Sequence, residues 1–296
     1  MTRGGEVTRW LDRSTRYRIA LFRRAHLNGI VELFDLSAYG EARIAAEDVI
    51  DDCVRMGRPL CAVALRAHGE RGRCLLWAGQ PAEAIEEFEL VVGAAGDPPA
   101  IEMQWALTYR YCLALALRDV ENLERSSAEL RALVPLMVTH HGQDSAWMVS
   151  AVTQLAKNVA LGGDHSTAIE MASALLPSST RLRGPASKEA ISLRSKIARW
   201  TMELGDRNLG LQEASRTLID FTSAGLSTCT EACELRFDYA ASLFESGDVD
   251  YAIAQLSSLN YDLGETSWSA SGFAERVRME LDAWRDAHPE GTSHTE

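Results

Sequence analysis

The feature that most constrains this chain is a self-similarity of period 42. Gly79-Gln80, Gly163-Asp164, Gly205-Asp206 and Gly247-Asp248 lie 84, 42 and 42 residues apart. A fixed period of about 20–50 residues marks a stack of small supersecondary units, none able to bury its apolar face alone. Five residues after these glycines come Ala84, Ala168, Gly210 and Ala252, and the same register passes through Ala42 and Ser126. Seven residues before them lie Gly72, Ala156, Ala198 and Ala240, joined by Ala114 and interrupted by Ile30. Three residues further on stand Leu33, Leu75, Leu117, Val159, Thr201 and Leu243.

A small residue on each of two consecutive helices lets their axes approach, and a large apolar residue one turn away fills the groove beside the contact. The columns therefore describe helical hairpins. The glycine closes the first helix in a left-handed conformation, and the following Asp or Gln starts the second. Ser37 and the stretch Arg118 to Asn122 take the turn's role in two degenerate copies. On the second helix, Phe88, Leu130 and Leu256 share a column with Ala46, Ala172 and Ala214. Val49, Val91, Leu133, Leu175 and Leu259 follow three residues later, on the same buried face.

This motif resembles the tetratricopeptide repeat in its long 42-residue form, similar to kinesin light chains and to the helical sensor regions of large bacterial transcription activators. Arg66 to Val92 matches best, with Gly72, Leu75, Gly79, Ala84, Phe88 and Val91 at the motif positions. The resemblance covers residues 16–264 and implies an all-α, right-handed superhelical solenoid of about six hairpins. It further implies a protein- or peptide-binding module.

The pattern predicts helix pairs over 16–34 and 37–57, 58–78 and 81–95, 98–117 and 119–139, 144–162 and 165–177, 185–204 and 207–224, and 227–246 and 249–263. Loops are expected at Gly96-Asp97-Pro98-Pro99, at His141-Gly142, from Pro177 to Pro185 and at Gly264-Glu265. Residues 265–287 read as a capping segment whose helix, over 268–287, carries Phe273, Val277, Leu281 and Trp284 on one stripe. Residues 1–15 form a basic N-terminal segment and 288–296 a polar, disordered tail.

Net charge is −12, which argues against a nucleic-acid binder, since neutralising phosphates needs clustered positive charge. The seven Arg of residues 1–26 stand against Glu6 and Asp12, a local +5, leaving −17 elsewhere. Arg9, Arg13 and Arg16 follow one side of an N-terminal helix, either a solvated face or a docking surface. No run is long and apolar enough to span a membrane, and the start has no apolar secretory core. Six Cys in helical positions suggest reduced thiols and a cytoplasmic protein.

The first helices of such hairpins line the face that usually holds a partner. In register, that face carries Arg66, Arg73, Arg118, Lys157 and Arg199, with Trp77, Tyr111 and Phe244 as apolar anchors. Two readings remain open. The bases capture an acidic peptide through charge-assisted hydrogen bonds, or they pair with Asp35, Asp119, Glu203 and Glu245 on neighbouring turns. Catalytic signals are weak: no G-x-x-x-x-G-K-[ST] or G-x-S-x-G segment occurs. Cys229 and Cys233 at i, i+4 lack a second ligand pair for a metal, His140-His141 with Asp144 reads as a polar loop, and His26 and His68 as a shared packing site. No catalytic residue, metal or cofactor is expected. The expected function is binding without catalysis; a sensor that controls a separate effector and an enzyme built on a helical solenoid are the alternatives.

Overall fold

The computed structural model describes residues 27–95, 101–264 and 272–288, and the described chain is all helix and turn. The Arg-rich start including Arg9, Arg13, Arg16 and His26, the loop 96–100, residues 265–271 and the tail 289–296 lie outside the described residues. The helices are α1 (27–35), α2 (Tyr39–Arg55), α3 (Ala62–Trp77), α4 (Pro81–Ala95), α5 (Met103–Asp119), α6 (Leu123–His141), α7 (Ala146–Leu161), α8 (His165–Arg183), α9 (Lys188–Glu203), α10 (Arg207–Ser223), α11 (Thr230–Glu245), α12 (Val249–Gly264) and α13 (Gly272–Ala287). The chain divides into two compact units, one ending at Gly142 and the other beginning at Gln143. No described helix is long and apolar enough to cross a membrane.

The turn column explains why the chain reverses once in every period. Gly79, Gly163, Gly205 and Gly247 have φ of 77°, 90°, 99° and 88°, and the degenerate copies hold Ser37 at 60° and Glu121 at 62°. All six positions of the column are thus left-handed, although two carry a Cβ that disfavours it. After the turn, Asn122, Asp164 and Asp206 accept a hydrogen bond from the backbone N–H three residues on, starting α6, α8 and α10.

In the first unit, α1/α2, α3/α4 and α5/α6 are the hairpins. Ala42, Ala46 and Ala84 are fully buried, and a Cβ on Gly72 would meet the Phe88 ring at 2.8 Å, which is why the small column is small. Ser126 is tolerated there because its hydroxyl donates to the Ala114 carbonyl at 2.6 Å. In the second unit, α7/α8, α9/α10 and α11/α12 repeat the arrangement over Ala156, Ala168, Ala198, Ala240 and Ala252. Helix α13 packs its stripe of Val277, Leu281 and Trp284 into the same core as Leu256 and Leu259.

Two differences from the expected boundaries have physical causes. Pro177 does not end α8, which runs on to Arg183 and stops at Gly184 with φ 92°. Pro135 sits inside α6 in the same way, one period earlier, and that helix stops at Gly142. In each helix the proline forfeits one backbone hydrogen bond, while burial on both sides of it, Leu133 and Met137 in α6 and Leu175 and Ser179 in α8, holds the helix together. Helix α3 begins at Ala62 rather than near 58, because Gly57 at φ 69° and Pro59 keep the preceding residues in a turn.

Candidate functional site

Within each unit the first helices of successive hairpins touch one another, and Arg66, Arg73 and Arg199 lie along these contacts. In the first unit the centre is Glu70 on α3, with no exposed surface. Its carboxylate accepts from the Tyr109 hydroxyl of α5 at 2.9 Å and from Arg73 Nη1 at 2.8 Å. A carboxylate so enclosed needs both donors, since an unpaired buried charge costs several kcal/mol. Tyr109 reaches it because residue 69 is Gly: a Cβ there would lie 2.3 Å from the ring. Burial, followed by the charge of Glu70, holds the Tyr109 hydroxyl well above its ordinary pKa. The Cys112 thiol on α5 is pushed up to about 12 by burial.

Arg73, besides its bond to Glu70, lies 3.9 Å over the Phe34 ring, and Trp77 meets Phe34 edge-on at 5.5 Å. Trp77 keeps 45% of its surface exposed. Arg66 differs from Arg73. Its guanidinium lies 4.1 Å over Trp105, its Nε is buried without a hydrogen-bond partner, and among the described residues no carboxylate pairs with it. Trp105 in turn stacks on Tyr109. Tyr111 is half-buried on α5, and Arg118 is bound to Asp119 at 2.8 Å. Behind this face, on the α3/α4 contact, Glu87 accepts from His68 at 2.7 Å and from Arg71. Burial pushes the Glu87 carboxyl up, but those bonds outweigh it and hold it below the usual carboxylate range.

In the second unit Arg199 on α9 binds Asp238 and, at 2.7 Å, Glu234, both on α11. Burial outweighs the attraction of Arg199 and leaves Asp238 above the ordinary carboxylate range. Lys157 on α7 is half-buried and close enough to Lys196 on α9 to repel its charge. Lys196 donates to the Ser192 hydroxyl at 2.7 Å, and burial, then Lys157, lowers it to about 8. Phe244 stacks on Trp284 at 4.3 Å and so joins α11 to α13.

The structure thus gives the sequence-selected residues different roles. Arg73, Arg118 and Arg199 are held by carboxylates, of which only Asp119 was among the acids expected to do so. Glu70, Trp105, Tyr109 and Lys196 were not legible as site residues, because their importance comes from contacts across hairpins. Among the described residues no group of three or more His, Cys, Asp or Glu is placed to hold a metal ion.

No protein-family model matches the sequence, and no curated protein matches it either. Solved structures are similar in fold. A Rap protein complexed with Competence and Sporulation Factor superposes with a TM-score of 0.64 at 11% identity, covering 91% of this chain and 87% of that one. BtubC from P. vanneervenii gives 0.60 at 12% identity over 83% and 92%. A kinesin light chain protein of Podosopora anserina with nearly identical TPR-like repeats gives 0.59 at 16% identity over 68% and 95%.

Proposed function

With a tetratricopeptide-type helical repeat fold as the premise, we propose that this chain is a non-catalytic binding module that holds an acidic peptide or partner segment against the first-helix face of its first unit. The supporting observation is Arg66: a half-buried guanidinium laid on Trp105 with no carboxylate beside it among the described residues. Stacking occupies only the face of a guanidinium, so a carboxylate would approach along its edge at the terminal nitrogens, the Nε being buried, while the aromatic face beneath fixes the plane. Trp77, exposed further along α3, and Tyr111 on α5 would serve as apolar anchors on the same face. Arg73 serves by fixing Glu70 and the Phe34 ring rather than by reaching the partner. In the second unit Arg199 is engaged by Asp238 and Glu234, so the proposal rests on the first unit.

The test is a fluorescein-labelled peptide of alternating Glu and Leu, titrated with the full chain at low and high salt, against its Lys-for-Glu analogue. Loss of one charge-assisted hydrogen bond corresponds to about tenfold or more in Kd. Arg66→Ala is expected to show that loss and Arg118→Ala to show none. Equal binding of the Lys analogue, or unchanged binding by Arg66→Ala, refutes the reading.

The sensor reading uses the same face and adds a ligand-dependent rearrangement. It is favoured by the likeness in fold to the Rap protein, whose structure holds a bound factor. Small-angle scattering with and without the acidic peptide separates the two: an unchanged profile at saturation supports a rigid module.

A further inference from the structure

Six cysteines are present as thiols, and two of them, 8 residues apart, are brought into contact across the α2–α3 turn: the Cys61 Sγ lies 3.7 Å from the Cys53 Sγ. The repeat shows how unusual this placement is. Cys61 is the N-cap of α3, and the residues two and three periods later, Ser145 and Ser187, are the N-caps of α7 and α9. Both serines accept a hydrogen bond from the backbone N–H three residues on, whereas the Cys61 side chain makes no cap bond. Its sulfur points to Cys53 instead. Cys53 in its turn stands where three later repeats carry the buried Met137, Phe221 and Leu263 and another carries Ser179. A cap site has lost its cap, and a site that mostly holds a large apolar side chain has lost bulk, at the two positions whose side chains meet.

Closing 3.7 Å to the roughly 2.05 Å of a disulfide requires an approach of about 1.6 Å. The backbone between them can supply it. Residues 57–60 are all exposed, Gly57 is left-handed, and the Cys61 N–H reaches the Arg58 carbonyl only at 3.3 Å. Access is asymmetric: Cys53 is 1% exposed and Cys61 half-buried. By contrast, Cys229 occupies the same cap register as Cys61 with Cys233 one turn away, yet among the described residues no hydrogen bond joins their sulfurs.

We propose that Cys53 and Cys61 are a redox-active dithiol, oxidised by hydroperoxides to a reversible disulfide that staples the end of α2 to the start of α3. The Cys61 thiolate attacks the peroxide oxygen, giving a sulfenic acid and expelling water or an alcohol. The Cys53 thiol then attacks the sulfenic sulfur, forms the S–S bond and releases water, so one hydroperoxide is reduced for two thiols oxidised. The staple fixes the junction from which α3, with Arg66 and Arg73, projects.

The experiment treats the full reduced chain with hydrogen peroxide, blocks remaining thiols with N-ethylmaleimide, and analyses intact mass and a non-reducing tryptic digest. Cleavage after Arg43, Arg55 and Arg66 separates the two cysteines. The expected product is residues 44–55 linked to 56–66, about 2 Da lighter than the sum of the two peptides, formed at a lower peroxide dose than any link through Cys229 or Cys233 and reversed by dithiothreitol. Cys53→Ser should trap a dimedone-reactive sulfenic acid on Cys61. Cys61→Ser, which installs the residue found at the caps Ser145 and Ser187, should fold and leave Cys53 unreacted. Failure to link 44–55 to 56–66, or prior reaction at Cys229 and Cys233, overturns the proposal.

Discussion

Replacing Gly69 by Ala tests whether the Glu70 centre is as tightly built as it looks. In an exposed helix interior this change stabilises by about 0.5–1 kcal/mol, because alanine has less backbone freedom to lose. At Gly69 the new Cβ falls 2.3 Å from Tyr109 Cζ, so the ring must retreat by about 1.1 Å to reach the 3.4 Å of ordinary contact. The ring stands between α3 and α5, stacked against Phe88 and Trp105, so relieving the overlap costs about 1–3 kcal/mol. The same retreat breaks the 2.9 Å bond from the Tyr109 hydroxyl to Glu70, a charge-assisted bond worth about 1.5–3 kcal/mol. Less the helix gain, the net destabilisation is about 2–5 kcal/mol. Urea unfolding followed by circular dichroism measures it. Gly93→Ala is the control, since Gly93 lies in α4 with nothing within 4 Å of its Cβ position, and should move the midpoint up. In a Tyr109→Leu background the penalty should shrink. A Gly69→Ala chain as resistant as wild type refutes the wedge, and with it the account of why residue 69 is glycine.

Three further predictions concern the turns and the buried charges. Glu121→Gly should raise the unfolding free energy from urea melts by up to about 1 kcal/mol, the left-handed strain of about 1–2 kcal/mol less the added chain entropy, whereas Gly79→Ala should lower it by about 1–2 kcal/mol; equal effects would sink the shared turn geometry. Lys196 titrates at about 8 in the fold and at 10.5 when unfolded, so between those values the unfolded chain binds more protons and stability rises with pH. Thermal melts from pH 7 to 10 should show wild type gaining on Lys196→Met, and a constant difference refutes the burial of that ammonium. Glu87, held below its ordinary 4.5, contributes stability above that value that is lost as pH falls through its lowered folded value. Glu87→Gln should therefore cost about 1–3 kcal/mol at pH 7, and in chemical melts the cost should shrink progressively as pH falls below 4.5; a cost independent of pH refutes the pairing.

What the sequence disclosed and what it withheld divide along one physical line. The period of 42 assigns equivalence, and much of what is determined within a hairpin was legible from it: the turns, including Ser37 and the stretch Arg118 to Asn122, and the small columns, while the continuation of α8 past Pro177 and the pairing of Glu87 with His68 and Arg71 were not. Function on a first-helix face depends instead on which residues of neighbouring hairpins touch, and touching is not equivalence. Arg66 meets Trp105, Glu70 meets Tyr109, and Arg199 meets Asp238, each 39 residues on, while Arg199 meets Glu234 at 35. Successive helices are offset in their packing, so a side chain finds its partner one or two turns before its own counterpart in the next repeat. Columns drawn at the full period therefore set Arg73 beside Leu115 and missed Arg66 upon Trp105. They also set Lys157 beside Arg199, when its electrostatic neighbour is Lys196, at the same shortened offset as Trp105 from Arg66. Reading the face at that shorter spacing recovers the neighbours of Arg66, Glu70, Lys157 and Arg199. By that rule Arg66 finds an aromatic ring where Arg199 finds a carboxylate, and among the described residues it has no carboxylate partner of its own.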